Sequence, residues 1–232
     1  MANIVKHWSE SVGVFDLETT GIDVAQSRIV SANVSVLDGD GGITRRLDWL
    51  ANPGIPIPEQ ASRIHGITTE RAIAEGRVAA EVVAEIVTTL SELFEAGIPV
   101  VIYNAPYDLS LLHYEAVRHG ITPIDDPRPI IDPLVIDKAV DRYRKGKRTL
   151  DVVAAHYGVE LLDAHEAASD AIAAGRVAQA IARTYPEALG ISATELHELQ
   201  VSWCDAQARS FQTYMRAKGR AEFIASGLWP RR

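Results

Sequence analysis

A single cysteine, Cys204, stands among 232 residues. An internal disulfide is excluded, and this usage fits a reducing compartment, so a cytoplasmic setting is expected. Long apolar runs are missing as well. None approaches the ~20 residues that a membrane span needs, so no membrane partner is expected. The opening residues MANIVKHWSE lack the apolar stretch and cleavage pattern of a secretory signal. Internal repeats, low-complexity tracts and obvious linkers are absent, which at this length points to one substantial domain with an appendage. Positive charge is in deficit: 23 Lys and Arg face 31 Asp and Glu, for a net charge of −8. Proteins that grip duplex nonspecifically are usually basic, because affinity comes from neutralising phosphates. Any action on nucleic acid must therefore be local, through metal ions or a confined basic strip; charge alone favours a small-molecule enzyme.

What is present is apolar material, 47% of the chain, arranged in alternating elements. VGVFDL (12–17) reads as a short buried strand. RIVSANVSVLD (28–38) is rich in β-branched residues, and GITRRLDWLA (42–51) follows across DGDGG, whose glycines suit a tight reversal. An antiparallel meander is expected. NPGIPIPEQASRIHGIT reads as a proline-punctuated loop, and AAEVVAEIVTTLSELFEAG as a helix ending at Gly97. IPVVIYN (98–104), PYDLSLLHYEAVRHG (106–120) and RPIIDPLVID make strand, helix and strand, a β-α-β unit. Helices are expected around 148–156 and 164–184. In SATE (192–195) the spacing is that of a capping box, opening a long helix to Gly219 with Leu196, Leu199, Trp203 and Ala206 on one face. That helix is expected to cover part of the core, with partner binding as the lesser alternative.

Asp16 and Glu18 sit at i and i+2 of a strand and so project to one face. Two like charges this close, partly desolvated, need positive charge between them. On this stretch alone, basic side chains and a divalent cation with oxygen ligands account for the pair equally well. Asp108, in YNAPYDLSLL, lies near a helix N-terminus that tolerates a carboxylate; by itself it is an ordinary first-turn acid. In AHEAASDA, Asp170 sits on a helix of small residues able to approach the sheet, with His165 five residues earlier at the helix entrance.

Taken in order, D-x-E-T-T-G, N-A-x-(F/Y)-D and H-x4-D resemble the three exonuclease motifs of the DnaQ-like, or DEDDh, 3′–5′ exonuclease family. The likeness runs over about residues 11–184. HGIT (65–68) is similar to the proofreading-type members, whose kind includes the epsilon subunit of bacterial DNA polymerase III. The resemblance implies an RNase H-like α/β fold, a central mixed five-stranded sheet flanked by helices. The exonuclease domain would be 1–185 and the C-terminal helical extension, packed on the core, 186–232. It further implies that Asp16, Glu18, Asp108 and Asp170 are metal ligands for two divalent ions, Mg²⁺ or Mn²⁺, with His165 as general base. The tyrosine branch of the family would place tyrosine where Glu166 stands, so the histidine branch is the match. The usual aspartate after that histidine is here Glu166, which preserves the charge.

The implied reaction is hydrolysis at the 3′ end of single-stranded DNA, releasing 5′-mononucleotides. A two-metal site clamps both ends of an in-line displacement, the ions roughly 3.5–4 Å apart. Histidine, with an ordinary pKa of about 6.5, can accept the proton of the attacking water at neutral pH. Leu17, Thr19 and Thr20 are candidates to lie against the terminal nucleotide, His65 and Ile67 to contact its sugar or base, and Asn104 to orient the scissile nucleotide or to cap its helix. DRYRKGKR gathers Arg142, Arg144, Lys145, Lys147 and Arg148. Such runs are usually solvated surface, yet this one could guide a single strand toward the metals. A DNA polymerase or another replication or repair protein is the implied protein partner. The alternatives are an exoribonuclease acting on short RNA and a non-catalytic polymerase-associated binding subunit.

Overall fold

The meander is formed by β1 (Ser11–Thr19), β2 (Ile29–Asp38) and β3 (Ile43–Asn52), paired antiparallel. Its β2–β3 turn is closed by Asp38, whose Oδ1 accepts the N–H groups of Asp40 (3.0 Å) and Gly42 (2.7 Å), while Gly41 takes a left-handed φ of 81°. These coordinates, a computed structural model, describe residues 7–161 and 165–232. Residues 1–6 of the opening stretch, expected to carry no secretory signal, and Ala164, the expected start of a helix, fall outside them.

The proline-punctuated segment is not all loop. It holds α1 (Glu59–His65), stopped by Gly66 at φ 72°, and α2 (Thr69–Glu75), capped by Thr68. A two-residue strand, β4 (Arg77–Val78), then pairs parallel with β3. Helix α3 (Ala79–Glu95) lays Val82, Val83, Ile86, Leu90 and Leu93 against the sheet. Strand β5 (Val100–Val101) joins β1 in parallel, α4 (Ala105–Arg118) crosses over, and β6 (Ile130–Ile131) returns parallel to β5, completing the expected β-α-β unit. The sheet order is β4-β3-β2-β1-β5-β6, mixed as expected but with six strands, β4 being the addition. β5 is shorter than 98–104 because the chain leaves the sheet at Asn104 (φ 65°) to begin α4.

RPIIDPLVID is strand only at its start. Asp132 caps the following helix, α5 (Pro133–Val140), by accepting the Leu134 N–H, and Pro133 fills the first helical position, where no N–H is needed. Helices α6 (Leu150–His156), α7 (Ala167–Thr184), α8 (Pro186–Leu189) and α9 (Ala193–Ala217) follow. Phe15 and Leu17 face α3 and α4, whereas Val12 and Val14 face α7. Asp16 and Glu18 continue the α7-facing row.

Helix α7 lies close on this face because its residues are small. A Cβ at Gly175 would sit 2.5 Å from Val14 and 2.6 Å from Leu37. Helix α9, opened by the Ser192–Glu195 capping box, covers the outer edge of β6. Its Gln200 mimics a strand: Oε1 accepts the Asp132 N–H (2.6 Å) and Nε2 donates to the Ile130 carbonyl (3.0 Å), while His197 Nδ1 accepts the Ile130 N–H (3.0 Å). An edge that would otherwise template further pairing is thereby closed. Of the expected apolar face, Leu196 is buried but Leu199 remains 39% exposed. Among the described residues, no helix is long and apolar enough to cross a membrane.

Candidate active site

Two elements deliver three carboxylates to one point. β1 ends with Asp16 and Glu18 on its α7-facing side, and the first turn of α7 supplies Asp170. Oxygen atoms of these three residues lie within 4.8 Å of one another. Asp108, in the first turn of α4, stands behind them, 3% exposed, with Oδ1 accepting the Leu17 N–H at 3.2 Å. It thus ties α4 to the end of β1.

The electrostatics of this cluster are unfavourable as it stands. Burial pushes the Asp16 carboxyl far up, and the neighbouring charges of Asp108, Glu18 and Asp170 push it further. Glu18 is pushed up to about 8, by burial first and the Asp170 charge second. Asp108 and Asp170 are raised too, again by burial above all. Among the described residues none of the four is ion-paired with a lysine or arginine. Of the two accounts left open by the sequence, basic partners therefore fail here. An all-oxygen donor set with concentrated negative charge suits a hard divalent cation, and these residues could hold one.

His165 is exposed at the mouth of the cluster. Its backbone is left-handed (φ 71°), uncommon for a residue with a Cβ, and its N–H points to Asp170 Oδ1 at 3.4 Å. Thr19 and Thr20 are buried at the end of β1. Thr19 Oγ1 donates to the Gly21 carbonyl at 2.9 Å, and Thr20 Oγ1 accepts the Arg28 N–H at 2.9 Å. His65 is half-buried; its Nδ1 accepts the Ile67 N–H (3.1 Å), its Nε2 is buried with no hydrogen-bond partner among the described residues, and burial lowers its pKa. The carbonyl region of Thr19 is its neighbour, so the HGIT loop does reach the strand end. Ile67 is 7% exposed and packs with Val30, Ile57 and Ala72. Asn104 stands at the cap position of α4, yet its side chain makes no capping hydrogen bond.

That cap is made instead by Asp132, which the sequence reading passed over. Its two oxygens accept the Asn104 and Ala105 N–H groups, each at 3.0 Å, and Trp229 Nε1 donates to it at 3.3 Å. The signal was the Asp-Pro pair opening α5. Tyr107 was likewise given no role; its hydroxyl donates to the Gly21 carbonyl at 2.6 Å and clips α4 to the loop after β1.

A mixed sheet flanked by helices, with a carboxylate cluster able to hold a divalent cation at the end of β1, defines a class, α/β proteins with a candidate metal site at a strand end. Within it the chain belongs to the exonuclease family, whose model matches residues 14–178. This bears out the DnaQ-like resemblance. Relatives include a DNA polymerase III PolC-type protein of Pediococcus pentosaceus, 26% identical over 178 residues, 77% of this chain and 12% of that protein. Another is a DNA polymerase III subunit epsilon-like protein of Rhodobacter capsulatus, 30% identical over 177 residues, 75% of this chain and 23% of the other. The chain thus spans less than a quarter of these relatives. Among solved structures, the zinc ion-bound form of an E. coli exonuclease I–single-stranded DNA complex matches with a TM-score of 0.67 at 20% identity, over 78% of this chain and 42% of that one. That last likeness is one of fold, the RNase H-like fold expected above.

Proposed function

We propose that this protein is a metal-dependent 3′–5′ exonuclease that hydrolyses the terminal phosphodiester of single-stranded DNA and releases 5′-mononucleotides. The observation that carries the reading is the cage itself: Asp16, Glu18 and Asp170 within 4.8 Å of one another, without a basic counter-charge among the described residues. Under this reading Asp16, Glu18, Asp108 and Asp170 hold two divalent ions, Mg²⁺ or Mn²⁺. Bound there, the ions acidify a water and supply positive charge where the 3′ oxygen departs.

The remaining roles belong to the chain. An imidazole nitrogen of His165 takes the proton of the attacking water as its oxygen bonds to phosphorus and the P–O3′ bond breaks. The backbone tie from His165 to Asp170 keeps that base beside the cage. Leu17, Thr19 and Thr20 form the wall against the terminal nucleotide, with His65, Ile67 and Asn104 at its margin. Residues 1–185 act as the nuclease domain and 186–232 as an appended helical segment. The polymerase III relatives support a replication or repair setting, in the cytoplasm, with a polymerase as partner.

Digestion of 5′-labelled single-stranded DNA and RNA with Mg²⁺ or Mn²⁺ tests this. A ladder shortening from the 3′ end, faster on DNA and abolished by EDTA, is expected. Activity that survives EDTA, or release of inorganic phosphate in place of mononucleotides, would sink the reading.

A further inference from the structure

A groove of about 970 Å³ runs between α5, the segment after it, and α9. One end lies at Asn104 and Pro106, two residues before Asp108. Four cationic side chains line it, Lys138, Arg142, Arg144 and Arg148, against one acid, Asp132. The Asp132 carboxylate is turned inward to the backbone of α4 and to Trp229. In a chain of net charge −8, this is a local reversal of sign.

The cations divide into two kinds. Arg144 and Arg148 are both ion-paired with the buried Asp137 and shape the wall. Lys138 and Arg142 form no ion pair among the described residues. Facing them, α9 presents Phe211 and Tyr214, 51% and 56% exposed. Exposed aromatic rings opposite unpaired cations are the combination that holds single strands, phosphates on one side and base faces on the other. The α9 wall lies beyond the family-matched residues 14–178.

We propose that this groove seats the single strand upstream of its 3′ end, with Lys138 and Arg142 on phosphates and Phe211 and Tyr214 stacked on bases. The proposal rests on the exonuclease reading for the direction of the strand, which runs from the cage past Asn104 and along α9.

Binding of fluorescent oligo-dT of about 4 and about 20 nucleotides in EDTA, where nothing is cut, separates the two. The wild type should hold the longer probe more tightly. F211A/Y214A should weaken that probe by about tenfold or more and shrink the length dependence. K138A/R142A should flatten the salt slope by about 0.7 for each cation removed. Melting curves check that the variants are folded. Wild-type affinity and salt slope in both double variants would overturn the proposal, even if the wild type digests DNA normally. Conversely, a wild type that cuts no oligonucleotide, but whose variants lose length-dependent binding, would sink the exonuclease reading and leave the groove standing.

Discussion

Glu18 shows what the cage demands of individual side chains. With no cation its carboxyl is pushed up to about 8 from 4.5. A raised acid stabilises the folded chain fully below its unfolded value, and that contribution fades as pH climbs through the folded value. Metal-free protein should therefore lose melting temperature as pH rises from about 4.5 to about 8. Mg²⁺ should restore most at the upper end, because a ligand that binds only the folded state stabilises it. E18Q should flatten the metal-free slope. Calorimetry with and without EDTA would read this, and a slope shared by wild type and E18Q would refute it. His165 makes a kinetic prediction. H165A should lower turnover by about 10²–10⁴ without altering the metal-induced rise in melting temperature, since its side chain holds no ion. D16A should lose both.

At the scale of elements, Asp170 is only as well placed as α7 is close. That approach depends on Gly175, where an added methyl would overlap Val14 and Leu37 at 2.5 and 2.6 Å. G175A should destabilise the protein by about 1–3 kcal/mol, the usual cost of overpacking, and lower activity by moving Asp170 outward from Asp16 and Glu18. Full activity in a destabilised G175A protein would show that the cage tolerates the shift. The small residues of AASDAIAAGRVAQ made this approach legible in sequence, as did the strand period that put Asp16 and Glu18 on one face. Three motifs then sufficed to name the three acids the structure gathers and Asp108 behind them. What stayed hidden were contacts that no local period carries. Asp132 reads as one acid in an apolar run, and a short apolar run does not distinguish strand from helix; its service to α4, 27 and 28 positions earlier in the chain, exists only in three dimensions. Within the run Arg142 to Arg148, expected as solvated surface or as a guide for a single strand, Arg144 and Arg148 close on Asp137.

For the whole molecule, the long C-terminal helix matters through polar side chains, which an apolar-face count could not see. His197 and Gln200 are 2% and 0% exposed and finish the hydrogen bonding of β6. Trp229, 6% exposed, packs tilted against the His197 ring with centroids 4.8 Å apart and reaches Asp132, so the segment after α9, α9 itself, β6 and the start of α4 form one connected structure. His197 Nδ1 can accept the Ile130 N–H only while unprotonated. Burial lowers its pKa, the Arg128 charge lowers it further, and Glu198 and Asp126 oppose this more weakly. A depressed histidine contributes its stability above its unfolded value, about 6.5, and that contribution disappears as pH falls through the lower folded value. In E18Q, which lacks the opposing Glu18 titration, melting temperature should accordingly drop as the protein is taken below about pH 6.5, and adding H197Q should remove that part of the decline. Because the Glu18 titration has the opposite sign, the double variant should be flatter than either single one. An H197Q curve parallel to wild type in this range would show that α9 does not hold the sheet edge through this histidine.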